Sequence, residues 1–148
     1  MTAAQIADGV WAFEDIDASL PLVPVAARRA LDRAGIHLSL AGWLAMPLGT
    51  REQLVQQGTA AQVDVNAVLH CCEGSGSTPV EARDDTELEA PPNEVLKRNE
   101  VRARDAWIGL THVERYAVLL AARSARKRND PARLMRVLAV LMPGLGRA

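Results

Sequence analysis

The residues with the most chemical potential stand in a row, His70-Cys71-Cys72. Imidazole and thiolate are ligands for zinc and for iron–sulfur clusters. Successive residues of a helix, however, point about 100° apart, so the three do not converge on one ion. No second ligand pair stands elsewhere, and His37 and His112 share no motif with His70. A bridge between adjacent cysteines is strained. The default reading is therefore an inert pair at a helix end, with metal binding or redox sensing at Cys71/Cys72 as a minor alternative. No nucleophile–base pair or carboxylate pair emerges, and GxGxxG and GxxxxGK[ST] are absent. The expectation is no catalytic residue, no metal site and no cofactor.

Charge is the next resource. The net charge is −1, but its distribution is uneven. Glu73, Glu81, Asp84, Asp85, Glu87 and Glu89 face only Arg83 in their stretch, whereas bases dominate from residue 112 onward. Arg123, Arg126, Lys127 and Arg128 cluster at the end of a helical pattern, where the dipole favours cations. The cluster reads first as a solvated terminus balanced by the chain's own acids, and second as a basic face for an acidic partner.

The third resource is a pattern stated twice. Trp43–Arg51 reads WLAMPLGTR, and sixty-four positions later Trp107–Arg115 reads WIGLTHVER. Each has Trp, an apolar, a small and an apolar residue, then an Arg eight positions after the Trp. Trp43 and Trp107 read as structural pins in the core rather than interface anchors. Arg51 and Arg115 fall in the first turn of their helices, where a cation opposes the dipole. Some compensation is required: an acid, a cluster of carbonyls or a partner.

The elements that must position these residues are helical. Hydrophobic residues make up 49% of the chain, largely Ala, Leu and Val, with one Tyr and one Phe; Ala and Leu favour helices. Val23, Ala26, Ala27, Ala30, Leu31 and Ala34 share one face of a helix over 24–34, with Arg28, Arg29, Asp32 and Arg33 opposite and Gly35 ending it. Residues 36–40 alternate but have no evident pairing partner, so they read as an extended connector. Ser39 caps a helix over 40–46, Thr50 one over 51–57 ended by Gly58, and Thr59 one over 60–72. After Pro92, helices are expected over 93–98, 103–109, 112–127 and 131–142. Thr111 and Glu114 form a capping box for the third of these. Residues 1–19 read as an arm tacked down by Val10, Trp11, Phe13 and Ile16.

The sequence thus predicts an all-α, small multi-helix bundle, one domain over 1–148. It comprises an arm (1–19), a first helical half (20–72), an acidic flexible linker (73–92) and a second half (93–148), the halves being pseudo-repeats. No apolar run is long enough for a transmembrane helix, and the acidic start does not suit a secretory signal. Cytoplasmic location is expected.

On these residues the chain resembles the small nitrate-reductase-associated proteins. The matching positions are Leu22, Pro24, Arg28, Leu31-Asp32, Gly35-Ile36, Leu38, Leu40 and Trp43, then Trp107, Leu110, Arg115-Tyr116-Ala117 and Leu119. The family's linker and its ending, an Ala followed by a Glu-Phe pair, are replaced here by other sequence, the ending by the Leu/Val-rich 134–142. The resemblance implies a non-enzymatic accessory protein that binds an assimilatory nitrate reductase, a molybdoenzyme, and assists its maturation or activity. It carries over no catalytic residue. The candidate partner-binding residues are Arg51, Arg115, Arg123, Arg126 and Lys127. The second reading is a regulatory module contacting nucleic acid through 115–136; a protein-interaction module of unrelated role is a third.

Overall fold

The computed structural model describes residues 5–7 and 9–145; what was expected of the arm at residues 1–4 and 8 lies outside them. The fold is all-α, with eight α-helices among the described residues. The chain forms two compact units, Met1–Asp84 and Asp85–Ala148.

In the first unit, Gln5–Ala7 (β1) and Val10–Trp11 (β2) pair antiparallel. Val10, Trp11 and Ile16 are buried, and the Trp11 and Phe13 rings stack with centroids 5.3 Å apart. The arm also does electrostatic work. Glu14 accepts the Val25 N–H through Oε1 (2.6 Å) and the Trp11 N–H through Oε2 (3.1 Å). It thereby satisfies an orphan donor at the start of helix α1, Val25–Ala34, whose N-cap Pro24 has no capping side chain.

Helix α1 buries Ala26, Ala27 and Ala30 completely and packs chiefly on α3, Leu48–Thr59. The small residues let the two backbones approach closely. A Cβ built on Gly58 would lie 1.6 Å from the Ala26 carbonyl oxygen. Gly58 is therefore a contact residue inside α3 and not its terminator. The helix also starts earlier than Thr50 suggests, because extended Pro47 serves as N-cap.

Arg29 departs most from the periodicity. It was expected on the outer face, yet it is 1% exposed. Its guanidinium donates to the carbonyls of Gly58 (2.8 Å), Ala60 (2.6 Å) and Ala61 (3.1 Å) at the end of α3. Helix ends leave carbonyls without intrahelical partners, and a buried guanidinium held by several acceptors is the condition under which charge tolerates burial.

Helix α2, Leu40–Ala45, begins where Ser39 Oγ accepts the Gly42 N–H. Helix α4 is Val65–Cys71, shorter than predicted, because its N-cap is Asp64, which accepts from the Ala67 N–H (3.1 Å). Thr59 instead donates back to the Gln56 carbonyl. The connector after α1 has a partner after all: Ile36–His37 (β3) pairs antiparallel with Thr78–Pro79 (β4). The Val80 N–H then donates to Gly35 and the Arg83 N–H to Asp32, each at 2.8 Å. A partner forty residues away is invisible to local pattern.

The second unit opens with a 3₁₀ turn, Asp85–Leu88, so the acidic stretch 73–92 contributes an element to each unit. Helices α5 (Asn93–Leu96) and α6 (Glu100–Ile108) follow, the latter capped by Asn99. Helix α7, His112–Arg128, starts with the expected box: Thr111 Oγ1 accepts from the Glu114 N–H, and Glu114 Oε1 accepts from the Thr111 N–H. It buries Val113, Tyr116, Ala117, Val118, Ala121 and Ala122, a broader face than expected, with Leu120 and Ser124 only half-buried. It ends at left-handed Asn129. Helix α8, Ala132–Leu141, buries Leu134, Val137, Leu138 and Leu141 and packs on α7.

Candidate functional site

The repeated Trp/Arg pattern builds the same small device in each unit. Trp43 is fully buried, and its indole N–H donates to the Leu20 carbonyl at 2.8 Å. Arg51 Nη1 donates to that same oxygen at 3.0 Å and to the Ser19 carbonyl at 2.9 Å. In the second unit Trp107, 2% exposed, donates to the Leu88 carbonyl at 2.8 Å. Arg115 Nη1 reaches the same oxygen at 3.2 Å. Each device is a clamp: one indole and one guanidinium on a single leucine carbonyl.

Arg115 also closes the end of α6. Its Nε donates to the Trp107 carbonyl (3.1 Å) and its Nη2 to that of Ile108 (3.5 Å), while its Cζ stands 5.6 Å from the Trp107 ring centre. This answers the electrostatic puzzle of the sequence. Both arginines are the fourth residue of their helix, where the dipole opposes a cation by about 0.3–1 kcal/mol. Hydrogen bonds from a charged donor contribute about 1.5–3 kcal/mol each. The carbonyls prevail.

Each clamped leucine is held by its own turn. Leu20 adopts φ +52°, in the left-handed region, a conformation costing a non-glycine residue about 1–2 kcal/mol. Its N–H donates to the Asp17 carbonyl, and the Ser19 N–H and hydroxyl both donate to Asp17 Oδ1. The Ser19 hydroxyl, and after it the Ser19 N–H, hold the Asp17 carboxyl below the usual carboxylate range. Leu88 ends the 3₁₀ turn and is 2% exposed. Four residues after each leucine comes the proline that starts the next helix, Pro24 and Pro92. This shared Leu-x-x-x-Pro spacing was the available signal for the acceptor side of the clamp.

The side chain immediately after each pinned tryptophan points to solvent: Leu44 is 48% exposed and Ile108 76%. In the first unit Leu22, Leu40 and Leu48 are also exposed, at 40–52%.

The basic helix end engages acids of its own unit. Arg123 pairs with Glu87 of the 3₁₀ turn, and Arg126 Nη1 lies 3.1 Å from Glu94 Oε1 of α5. His112 Nδ1 stands 3.7 Å from Asp85. Lys127 and Arg128 are exposed.

His70, Cys71 and Cys72 diverge. His70 turns to Glu73 (3.4 Å) and the Cys71 thiol to Gln53 Oε1 (3.6 Å), whereas Cys72 is 3% exposed. Burial raises the Cys71 pKa and, with the neighbouring Cys71, pushes Cys72 up to about 11. Both cysteines are free thiols. Among the described residues no three His, Cys, Asp or Glu side chains gather as a metal site, and no helix is long and apolar enough to cross a membrane.

The chain is thus a predominantly helical protein of two units, each containing a Trp–Arg–carbonyl clamp. It belongs to the family of conserved nitrate reductase-associated proteins, whose family model matches residues 10–137. Comparison with curated proteins and with solved structures returned no match.

Proposed function

We propose that this chain is a non-catalytic accessory protein of the cytoplasm that binds a nitrate reductase and assists its maturation or activity. The observation that carries this reading is the family match, which spans both units. The distribution of chemical groups supports it. Arg51 and Arg115 are engaged by main-chain carbonyls, and the thiols are held in their protonated, weakly nucleophilic form. What the surface offers is apolar side chains and a basic helix end bearing Lys127.

Arg51 and Arg115 then serve partner binding indirectly, by fixing the segments that carry Leu44 and Ile108. Arg123 and Arg126, already facing acids, leave Lys127 and Arg128 as the cations of that cluster best placed to contact a partner. The internal pairing also counts against a nucleic-acid role, since two of the cluster's charges are already neutralised.

The test is co-purification of the tagged protein from its native host grown on nitrate, with partners identified by mass spectrometry. Nitrate reductase is expected among them. Its absence, with the tagged protein present and folded, overturns the reading.

A further inference from the structure

We infer that the corner where α7 passes into α8 is a docking surface, and that its occupant is a carboxylate-rich segment of the nitrate reductase. The inference rests on the proposed function and adds the surface and the chemistry that recognises the partner. From Arg126 to Leu145 five bases stand against one acid, Asp130. Arg126 is taken by Glu94 of α5. Lys127, Arg128, Arg133 and Arg136 are all exposed, and among the described residues no acid pairs with them. Asp130 turns back to the main chain, where its Oδ1 accepts the Ala132 N–H at 3.0 Å.

Helix electrostatics set this corner apart. Arg133 is the second residue of α8 and Arg136 the fifth, and the N-cap Pro131 supplies no capping side chain. A cation in the first turn opposes the dipole, as it does for Arg51 and Arg115. Those two are compensated by main-chain carbonyls, whereas Arg133 has no such acceptor. Arg133 and Arg136 also stand three apart, neighbours on the helix surface, where like charges repel. The positive charge therefore works against its own helix and becomes favourable when an anion covers it.

The chemistry of the corner chooses the class of anion. Three of the four unpaired cations are arginines, whose planar fork matches a carboxylate. The same helix end shows the match, since Arg123 holds Glu87 and Arg126 holds Glu94. Single-stranded nucleic acid requires aromatic faces for its bases, yet Trp107 and Tyr116, the aromatic residues of this unit, are buried. Insertion into an anionic membrane requires apolar side chains beside the cations. The described residues from 126 to 145 expose no large one.

The experiment compares the wild type with Arg133→Glu, Arg136→Glu and, as control, Arg102→Glu at an exposed site on α6. Nitrate reductase recovered by each tagged protein from the nitrate-grown host is quantified, with thermal midpoints measured in parallel. Both corner variants should recover about tenfold less, with midpoints equal to or above that of the wild type, while Arg102→Glu matches the wild type. Recovery by the wild type should fall as salt rises. Equal recovery by all four overturns the surface but leaves the accessory role standing. Midpoints that drop along with recovery mark the arginines as structural and overturn it as well. If the folded wild type recovers no nitrate reductase, the accessory role itself fails and the inference with it. The purified wild type is also mixed with a DNA duplex and with phosphatidylserine vesicles at physiological salt, and it should bind neither. Binding to either one that Arg136→Glu abolishes assigns the corner to nucleic acid or membrane, and the inference is wrong.

Discussion

Arg51 and Arg115 occupy the same place in two different units. Each is the fourth residue of its helix, eight positions after a buried tryptophan, and each donates to the leucine carbonyl that the tryptophan also engages. Judged by helix electrostatics alone, both are misplaced. Judged by what lies across from them, both hold together three segments of chain: the turn before a helix, the tryptophan segment and the helix that follows.

Replacing Arg115 by Gln removes the cation from the start of α7, which would favour that helix in isolation. In the whole protein it removes donors from the Leu88, Trp107 and Ile108 carbonyls. The net expected effect is a loss of about 1–3 kcal/mol, read as a lower denaturation midpoint at unchanged slope. A gain in stability would show that the dipole outweighs the carbonyls.

Trp43→Phe retains most of the apolar ring and deletes the indole N–H. Because Arg51 still reaches the Leu20 oxygen, that acceptor keeps a partner. The expected loss is about 1–3 kcal/mol from the missing hydrogen bond and the smaller ring together. Combining it with Arg51→Gln should cost more than the sum of the single changes, because the double variant alone deprives the oxygen of both donors. Strict additivity in equilibrium unfolding would dissolve the clamp into two independent contacts.

Gly58→Ala adds one methyl group where no space exists, against the main chain of α1 rather than a side chain able to turn away. The helices must separate, and a loss above about 3 kcal/mol is expected. Gly49→Ala, in the same helix with open space at its Cβ, should be neutral or slightly stabilising. Thermal unfolding of the pair distinguishes crowding from helix propensity.

Cys72 carries a pH signature. Its folded pKa of about 11 exceeds the ordinary thiol value of 9.0, so the fold favours the protonated form. That contribution is complete below pH 9 and is lost as pH rises from 9 towards 11. A Cys72→Ala variant should lose less stability over this window than the wild type does. Iodoacetamide at pH 8 should modify Cys71 ahead of Cys72, and modification of Cys72 should accelerate sharply in denaturant. Equal rates in the native protein would contradict its burial.

The helices were legible wherever local chemistry writes them. Ser39 at α2, and Thr111 with Glu114 at α7, carry their caps in adjacent residues. Failures came where the deciding contact is distant in sequence. Ile36–His37 finds its strand at Thr78–Pro79, α1 takes a cap from Glu14, and Arg29 sinks because the end of α3 needs donors. Gly58 misled for a related reason: a residue that stops helices when it faces solvent permits close packing when it faces another helix. Of the candidate site, the sequence displayed the two donors of each clamp through their equal spacing. It concealed the acceptor, because a main-chain oxygen has no letter of its own; only the leucine–proline interval marked its address.

Each clamp is assembled from one uninterrupted length of chain, the first between Ser19 and Arg51 and the second between Leu88 and Arg115. The strand that completes the first unit, Thr78–Pro79, also precedes the second unit. A ribosome therefore synthesises every piece of the first clamp, and the strand that completes its unit, before it reaches Leu88. Folding can proceed vectorially, one clamp snapping shut while the other is still being made.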